Sequence, residues 1–264
     1  MLKAIIYDKD GTLMRFDAFW VPVARAAIKK VVEKASDGYA VSVGDICREI
    51  EYAIGVRGEE TDPKGILCGG TYSQFAGEVT RVLNEAGVSA FVGRREIESA
   101  VKESVSEGKI LPTCDNLRLK LAEAKKHAKL FVATTDDYSI TEICLKRLGV
   151  FDLFDKIYCD DGRFPHKPDP AAANEIATVL NADKNEIFMV GDTSTDAKFA
   201  RAAGINFVFV GKDGAICDKT AYRAKNAGDA TDLIMCVTHE SADFISRNAP
   251  LAAVCSQPLA ANEI

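Results

Sequence analysis

LKAIIYDKDGTL, residues 2–13, joins a short apolar run to an acidic loop. The run from Leu2 to Tyr7 is rich in β-forming residues and stops abruptly at Asp8, which is typical of a buried parallel strand that meets a loop. Helical patterns separate it from three similar apolar runs: Leu130–Ala133, Ile187–Val190 and Ile205–Val210. Strands that alternate with helices predict right-handed crossovers, and therefore an α/β fold with a doubly wound parallel sheet.

Signals for helix ends support this alternation. Ser139 and Glu142 have the spacing of a capping box, and Gly149 is placed to end that helix in a left-handed conformation. Asp169-Pro170 predicts a further helix start, because a proline at the first helical position lacks only an N–H that would be unpaired anyway.

The segment 16–108 lies between the first strand and the second, and it shows helical periodicity without a convincing strand. It predicts four helices, with the Gly-rich stretch Gly65–Thr71 as a loop between the second and the third. We interpret the segment as an inserted cap, because it would leave and re-enter at the carboxyl edge of the sheet, where α/β sheets bind ligands. The candidate helices are Ala18–Ala35, Val43–Ile54, Tyr72–Ala86 and Arg94–Glu107.

The predicted domains are a core of residues 1–15 and 109–235, a helical cap of residues 16–108, and an unassigned C-terminal extension of residues 236–264. Apolar residues make up 47% of the chain and charged residues 27%, which is typical of a globular protein. The net charge of −6 provides no broad basic surface, so nucleic acid is not expected as a partner. No segment is long and apolar enough to span a bilayer, so no membrane partner is expected.

The cysteines and the N-terminus bear on the compartment. Eight cysteines are spread singly without CxxC spacing, which predicts reduced thiols rather than zinc or redox chemistry. The opening MLKAIIYDKD turns acidic after too short an apolar run for a signal peptide. We therefore expect a cytoplasmic protein, as a monomer or a homodimer.

Asp8 and Asp10 follow the first strand, whose period of two tends to aim both carboxylates the same way. Two such acids can take different chemical roles, because repulsion between like charges raises the pKa of one of them. That acid then carries a proton while the other stays ionised. Gly11 permits a tight turn and close approach to a ligand, and Thr12 offers a hydroxyl. A common Asp- and Gly-rich turn would also explain this motif, so the motif alone does not decide the function.

An attack by Asp8 on a phosphate monoester faces a dianion near pH 7. Two unit charges at about 4 Å and an effective dielectric of about 20 repel by roughly 4 kcal/mol, so the dianion costs about twice that. Such a penalty removes about six orders of magnitude in rate, and cations must therefore be present.

The sequence supplies residues for both cations at strand ends. Asp192 and Asp196, in GDTSTD (191–196), follow the run Ile187–Val190, and carboxylates are the hard ligands that Mg²⁺ prefers. Lys167 lies before a helix, where its ammonium would neutralise Asp8 and the transferring phosphoryl group.

Four motifs together resemble those of the haloacid dehalogenase-like superfamily: DKDGTL (8–13), Thr134 after the second strand, Lys167-Pro168 before a helix, and GDTSTD (191–196). Their order and strand-end context match across residues 1–15 and 109–235, and four motifs in sequence are specific. The helical insert is similar to the small helical cap of the phosphoglycolate phosphatase-like members.

The resemblance implies roles for individual residues. Asp8 would be the nucleophile that forms an aspartyl-phosphate, and Asp10 would protonate the leaving group and then activate water. Mg²⁺ would be held by Asp8, the backbone carbonyl of Asp10 and Asp192, while Asp196 would act through water or orient Lys167. An acid at position 10 also argues against a dehalogenase, since similar dehalogenating enzymes lack it.

The second motif departs from the family. Many relatives place Asn after the threonine, whereas this chain reads Thr134-Thr135-Asp136-Asp137. We expect the two aspartates to start the next helix, whose dipole favours negative charge there. Thr134 or Thr135 would donate to a phosphate oxygen, and the sequence leaves open which one does.

The predicted activity is hydrolysis of a small phosphorylated metabolite, phosphoglycolate-like or a sugar phosphate. A phosphomutase, or a non-catalytic binding protein that kept the fold, remains an alternative. Specificity would lie in the cap, where Gly69, Gly70 and Thr71 are the first candidates for substrate contact, although a simple turn between helices explains them equally well.

Overall fold

The structure is a computed structural model that describes residues 2–160, 162–211 and 222–238. The described residues form two compact units, one built from residues 2–15 and the described part of 112–238, the other from Phe16–Leu111. The strands are β1 Ala4–Tyr7, β2 Val56–Arg57, β3 Glu60–Thr61, β4 Lys129–Ala133, β5 Lys156–Tyr158, β6 Ile187–Gly191, β7 Asn206–Val210 and β8 Tyr222–Ala224. The α-helices are α1 Phe16–Ala35, α2 Val43–Ala53, α3 Ile66–Gly69, α4 Tyr72–Glu85, α5 Arg94–Ser104, α6 Leu117–Lys125, α7 Tyr138–Arg147, α8 Ala171–Leu180, α9 Ser194–Ala203 and α10 Ala227–Thr238.

The first unit contains a six-stranded parallel sheet in the order β5-β4-β1-β6-β7-β8. Its strands alternate between two hydrophobic cores, since Ile5 and Tyr7 lie in one core and Ala4 and Ile6 in the other. Helices α6, α7 and α10 cover the first face, and α8 and α9 cover the second. The predicted doubly wound α/β fold is therefore confirmed.

Two strands of this six-stranded sheet escaped the sequence analysis. β5 and β8 have three residues each and lie at opposite edges of the sheet, where they are only partly buried. Lys156 and Arg223 interrupt their apolar character, so neither gives the continuous apolar run of a central parallel strand.

The chain leaves and re-enters the first unit through paired segments. Met14 forms an antiparallel bridge with Pro112. Thr113 donates its backbone N–H to Leu13 O at 3.2 Å and its hydroxyl to Thr12 O at 2.6 Å. These contacts hold the two ends of the insertion together within the first unit.

The second unit is mainly helical. Helix α1 packs against α2 and α5, and α4 also packs against α2 and α5. Arg25 on α1 contacts Glu51 on α2 at 3.0 Å and Glu59 at 2.6 Å. The four predicted helices are present, and α5 continues into a short 3₁₀ turn, Val105–Glu107.

Two expectations for this unit were wrong. The antiparallel hairpin β2–β3 was missed, because strands of two residues are too short to show alternation, and Gly58 at φ +67° makes its turn. The stretch expected as a loop contains the one-turn helix α3, which Gly65 precedes as N-cap.

Helix ends also differ from the sequence pattern. The N-cap of α7 is Asp137, whose side chain accepts the Ser139 N–H at 2.8 Å, so the expected capping box of Ser139 with Glu142 is wrong. Gly149 follows the helix at φ +69°, as expected. Pro170 is the N-cap of α8 and not its first residue.

Helix α10, the last among the described residues, includes residues 236–238 of the stretch left unassigned, and residues 239–264 lie outside the described part of the chain. Among the helices described, none is long and apolar enough to cross a membrane.

Candidate active site

Three central strands end side by side and deliver polar residues to one edge of the sheet. Asp8 directly follows β1, Thr134 follows β4, and Asp192 follows β6, and β1 pairs with both of the other strands. The carboxyl edge of a parallel sheet is the usual ligand site of α/β folds.

A buried chain of charges links Asp8 to Asp196 through Lys167. The Lys167 ammonium lies 2.7 Å from Asp8 Oδ1 and 2.6 Å from Asp196 Oδ1, and all three side chains are at most 9% exposed. Burial lowers the pKa of Lys167, but the carboxylates of Asp196 and Asp8 outweigh burial and leave that pKa above its ordinary value. The ammonium therefore stays charged beside Asp8.

Thr193 occupies the other oxygen of Asp196. It donates its backbone N–H at 3.0 Å and its hydroxyl at 2.6 Å to Asp196 Oδ2, as part of a capping box at the start of α9. Both oxygens of Asp196 thus have protein partners, which suits a residue that orients Lys167.

Asp8, Asp192 and Asp196 each offer an oxygen within 4.8 Å of the others. When all three are ionised, these carboxylates exceed the ammonium of Lys167 by two negative charges, which a divalent cation would balance. Burial, opposed by Lys167 and reinforced by Asp196, raises the pKa of Asp8 to about 7. Burial, followed by the charges of Asp8 and Asp196, also raises the pKa of Asp192. The donor set and its charge therefore fit Mg²⁺.

Two glycines permit the close packing of this cluster. Gly11 has φ +78°, and a Cβ there would lie 2.0 Å from Asp192 Oδ2. A Cβ on Gly191 would lie 2.4 Å from the side chain of Asp196. Contacts this short exclude any larger side chain at either position unless the carboxylates move.

Two of the expected substrate-binding residues have protein contacts of their own. The buried hydroxyl of Thr12 donates to Asp192 Oδ1 at 2.9 Å. Thr134 is buried and its hydroxyl accepts the Asp136 N–H at 3.2 Å, whereas Thr135 is exposed. Contact between a substrate and Thr12, Thr134 or Thr135 stays a prediction.

The candidates of the helical unit have local explanations. Thr71 is the N-cap of α4 and accepts the Gln74 N–H at 3.2 Å. A Cβ on Gly70 would lie 2.7 Å from the side chain of Ile66, whereas one on Gly69 would meet nothing. A role of these three residues in substrate contact also stays a prediction.

Lys9, between the two motif aspartates, is the residue that the sequence analysis missed. It is fully buried, and its ammonium lies 2.7 Å from Asp10 Oδ2 and 2.9 Å from Asp136 Oδ2. Of the two aspartates expected to start α7, only Asp137 caps the helix, while Asp136 pairs with Lys9. The sequence signal for the role of Lys9 was Asp136, the unusual acid after the second-motif threonines, because an acid near an anionic substrate needs a cation beside it.

The comparisons with known proteins identify the family of this chain. A phosphoglycolate phosphatase of Cereibacter sphaeroides is 34% identical over 79 residues, 30% of this chain and 35% of that relative's length. A phosphoglycolate phosphatase of Rhodospirillum rubrum is 26% identical over 79% of both chains. A Thermotoga maritima structure, provisionally named beta-phosphoglucomutase, has a TM-score of 0.61 at 20% identity and covers 89% of this chain and 99% of its own. The model of haloacid dehalogenase-like hydrolases matches residues 2–204, and the chain belongs to that family.

Proposed function

We propose that the protein is a Mg²⁺-dependent phosphatase that hydrolyses a small phosphorylated metabolite through an aspartyl-phosphate on Asp8. The observation that carries the proposal is that the Asp8 carboxylate lies 2.7 Å from the buried ammonium of Lys167 and within 4.8 Å of an oxygen of Asp192. A nucleophile in this position has both the local cation and the metal ligands that attack on an anionic phosphorus requires.

In the first half-reaction, an Asp8 oxygen bonds to phosphorus as the ester P–O bond breaks. Asp10 gives its proton to the departing oxygen, and the alcohol leaves. Lys167 offsets the negative charge that gathers around Asp8 during this step. The product is the aspartyl-phosphate with an ionised Asp10.

In the second half-reaction, Asp10 takes a proton from water as the water oxygen bonds to phosphorus. The bond between phosphorus and Asp8 breaks, which releases inorganic phosphate and restores the carboxylate. Asp10 ends protonated, as it began, so the cycle balances without another reactant.

Asp8, Asp192 and the backbone carbonyl of Asp10 would hold Mg²⁺. Mg²⁺ would neutralise charge on the phosphoryl oxygens when bound. Thr12 fixes the Asp192 carboxylate for this purpose through its 2.9 Å hydrogen bond. Asp196, whose oxygens are engaged by Lys167 and Thr193, would contribute through a water at most.

Phosphoglycolate is the first substrate to test, because four relatives of this chain carry the name phosphoglycolate phosphatase. Sugar phosphates are the second class. The purified full-length protein would be given 2-phosphoglycolate, glycerol 3-phosphate, glucose 6-phosphate and 4-nitrophenyl phosphate, with Mg²⁺ or with EDTA. We expect Mg²⁺-dependent release of inorganic phosphate from at least one of them.

The decisive variant is Asp8→Asn, which keeps the shape of the side chain and removes its nucleophilic charge. We expect its turnover to fall by more than about 10⁴-fold while its melting curve stays cooperative. Asp115→Asn, at an exposed carboxylate outside the site, is the matched control. Undiminished phosphate release by Asp8→Asn would refute the proposal, as would isomerisation of a sugar phosphate without release or inertness of the wild type towards every ester.

A further inference from the structure

Lys9 is a fully buried lysine that the mechanism above does not use. Its ammonium contacts Asp10 Oδ2 at 2.7 Å and Asp136 Oδ2 at 2.9 Å, and the Cys144 thiol lies 4.0 Å away. The Asp10 side chain is 15% exposed and that of Asp136 is 9% exposed. A buried ammonium is costly unless it is paired, so these contacts fix where the lysine head can lie.

The contact with Lys9 restrains the side chain of Asp10 from the buried side. One carboxylate oxygen of Asp10 is engaged, and the Gly11 N–H donates to Met14 O at 2.8 Å, which holds the turn that follows. A general acid must come within hydrogen-bonding reach of the departing oxygen, and an error of about 1 Å can cost about 10²-fold in rate. The orientation of this carboxylate therefore matters for proton transfer.

The same lysine joins Asp10 to the loop after β4. Asp136, its second partner, donates its backbone N–H to the Thr134 hydroxyl at 3.2 Å. Lys9 thus connects the loop after β1 to the loop after β4, the two loops that carry the candidate acid and the candidate phosphate-binding threonine.

We propose that Lys9 is a positioning residue that holds Asp10 for proton transfer to the leaving group, with Asp136 as its second counter-charge. The inference rests on the proposed function, because it assumes that Asp10 is the general acid. A lysine that only balanced charge in the core would affect all substrates of the enzyme alike. A lysine that positions the acid affects mainly those substrates whose leaving group needs a proton.

The test compares Lys9→Met with wild type on two esters. 4-Nitrophenyl phosphate releases an acidic phenol that departs without a proton, whereas the alkyl phosphate that the wild type hydrolyses fastest needs one. kcat/KM is the readout, because it covers the steps up to departure of the leaving group. For Lys9→Met we expect a fall of about 10² on the alkyl ester and of less than about fivefold on the nitrophenyl ester.

Asp10→Asn is the benchmark and should show the same selective loss. The double variant Lys9→Met/Asp136→Asn also removes the Asp136 carboxylate, which Lys9→Met alone leaves buried without its partner. It therefore measures the ratio of the two kcat/KM values in a core where one buried charge of each sign has been removed. Asp136→Asn alone keeps the contact between Lys9 and Asp10, so it should keep the wild-type ratio of the two kcat/KM values.

The outcomes separate the inference from the function. Equal losses of Lys9→Met on both esters, or no loss on either, would overturn the role of Lys9 while an active wild type upholds the phosphatase. A wild type that hydrolyses neither ester would overturn the proposed function itself. If Asp10→Asn lowers kcat/KM equally on both esters, Asp10 is not the general acid. The inference about Lys9 would then fail as well.

Discussion

Replacement of Lys167 by methionine keeps most of the side-chain length and removes the only ammonium that the described residues place against Asp8. At the observed 2.7 Å, two unit charges interact by about 6 kcal/mol at an effective dielectric of about 20. Relief of the cost of burying the lysine offsets part of this energy. We therefore expect kcat/KM to fall by at least about 10³-fold, which corresponds to about 4 kcal/mol.

Stability should fall with activity. Lys167→Met leaves Asp8 and Asp196 buried without their common cation, and loss of one partner of a buried ion pair costs about 3–5 kcal/mol. Mg²⁺ should restore part of this stability, since it supplies positive charge to the same cluster.

The assay is phosphate release at saturating Mg²⁺, together with thermal unfolding with and without the metal. Lys156→Met is the matched control, because Lys156 is half-exposed and pairs with Glu175 at 3.0 Å on an edge strand. The control should keep activity within about twofold of wild type. A Lys167→Met protein that folds and retains more than a tenth of wild-type kcat/KM would refute the electrostatic reasoning.

Two further predictions concern the metal. Gly11→Ala should weaken Mg²⁺ binding in a calorimetric titration, because its Cβ would lie 2.0 Å from Asp192 Oδ2. The control Gly38→Ala has a similar φ of +80° and open space around it, so it should bind Mg²⁺ normally. Equal affinities of the two variants for Mg²⁺ would contradict this prediction. The rise in melting temperature caused by Mg²⁺ should be larger at pH 8 than at pH 6. The pKa of Asp8 is raised to about 7 and that of Asp192 is also raised, so the metal-free protein loses stability as pH rises through these values. At the lower pH, Mg²⁺ also competes with protons for the same carboxylates. An equal rise in melting temperature at both pH values would contradict this prediction.

The sequence predicted those features that depend on local pattern. Asp8 and Asp192 were placed at one edge of the sheet because apolar runs end immediately before them, and parallel strands bring their carboxyl ends together. The position of Lys167 beside Asp8 followed from the charge that the proposed chemistry requires. For these residues, the ends of the apolar runs and the need for a cation were enough.

Other features depend on packing between distant segments. The contact of Lys9 with Asp136 joins the loops after two neighbouring strands, and nothing in the DKD motif shows that its middle side chain points into the protein. The edge strand β5 and the hairpin β2–β3 are too short for a period of two to be read. Asp137 rather than Ser139 caps α7, a choice between two competent residues that the tertiary pairing of Asp136 helps to decide.

The bridge between Met14 and Pro112 has a consequence for how such a protein can diversify. Because the ends of the insertion are fastened to each other by the hydrogen bonds of Thr113 with Leu13 and Thr12, the register of the sheet does not depend on the length or content of what lies between them. Evolution can lengthen, shorten or exchange the intervening segment while the carboxylates of the candidate site stay where they are. If the insertion selects the substrate, as we propose, selectivity and reactivity can then change independently.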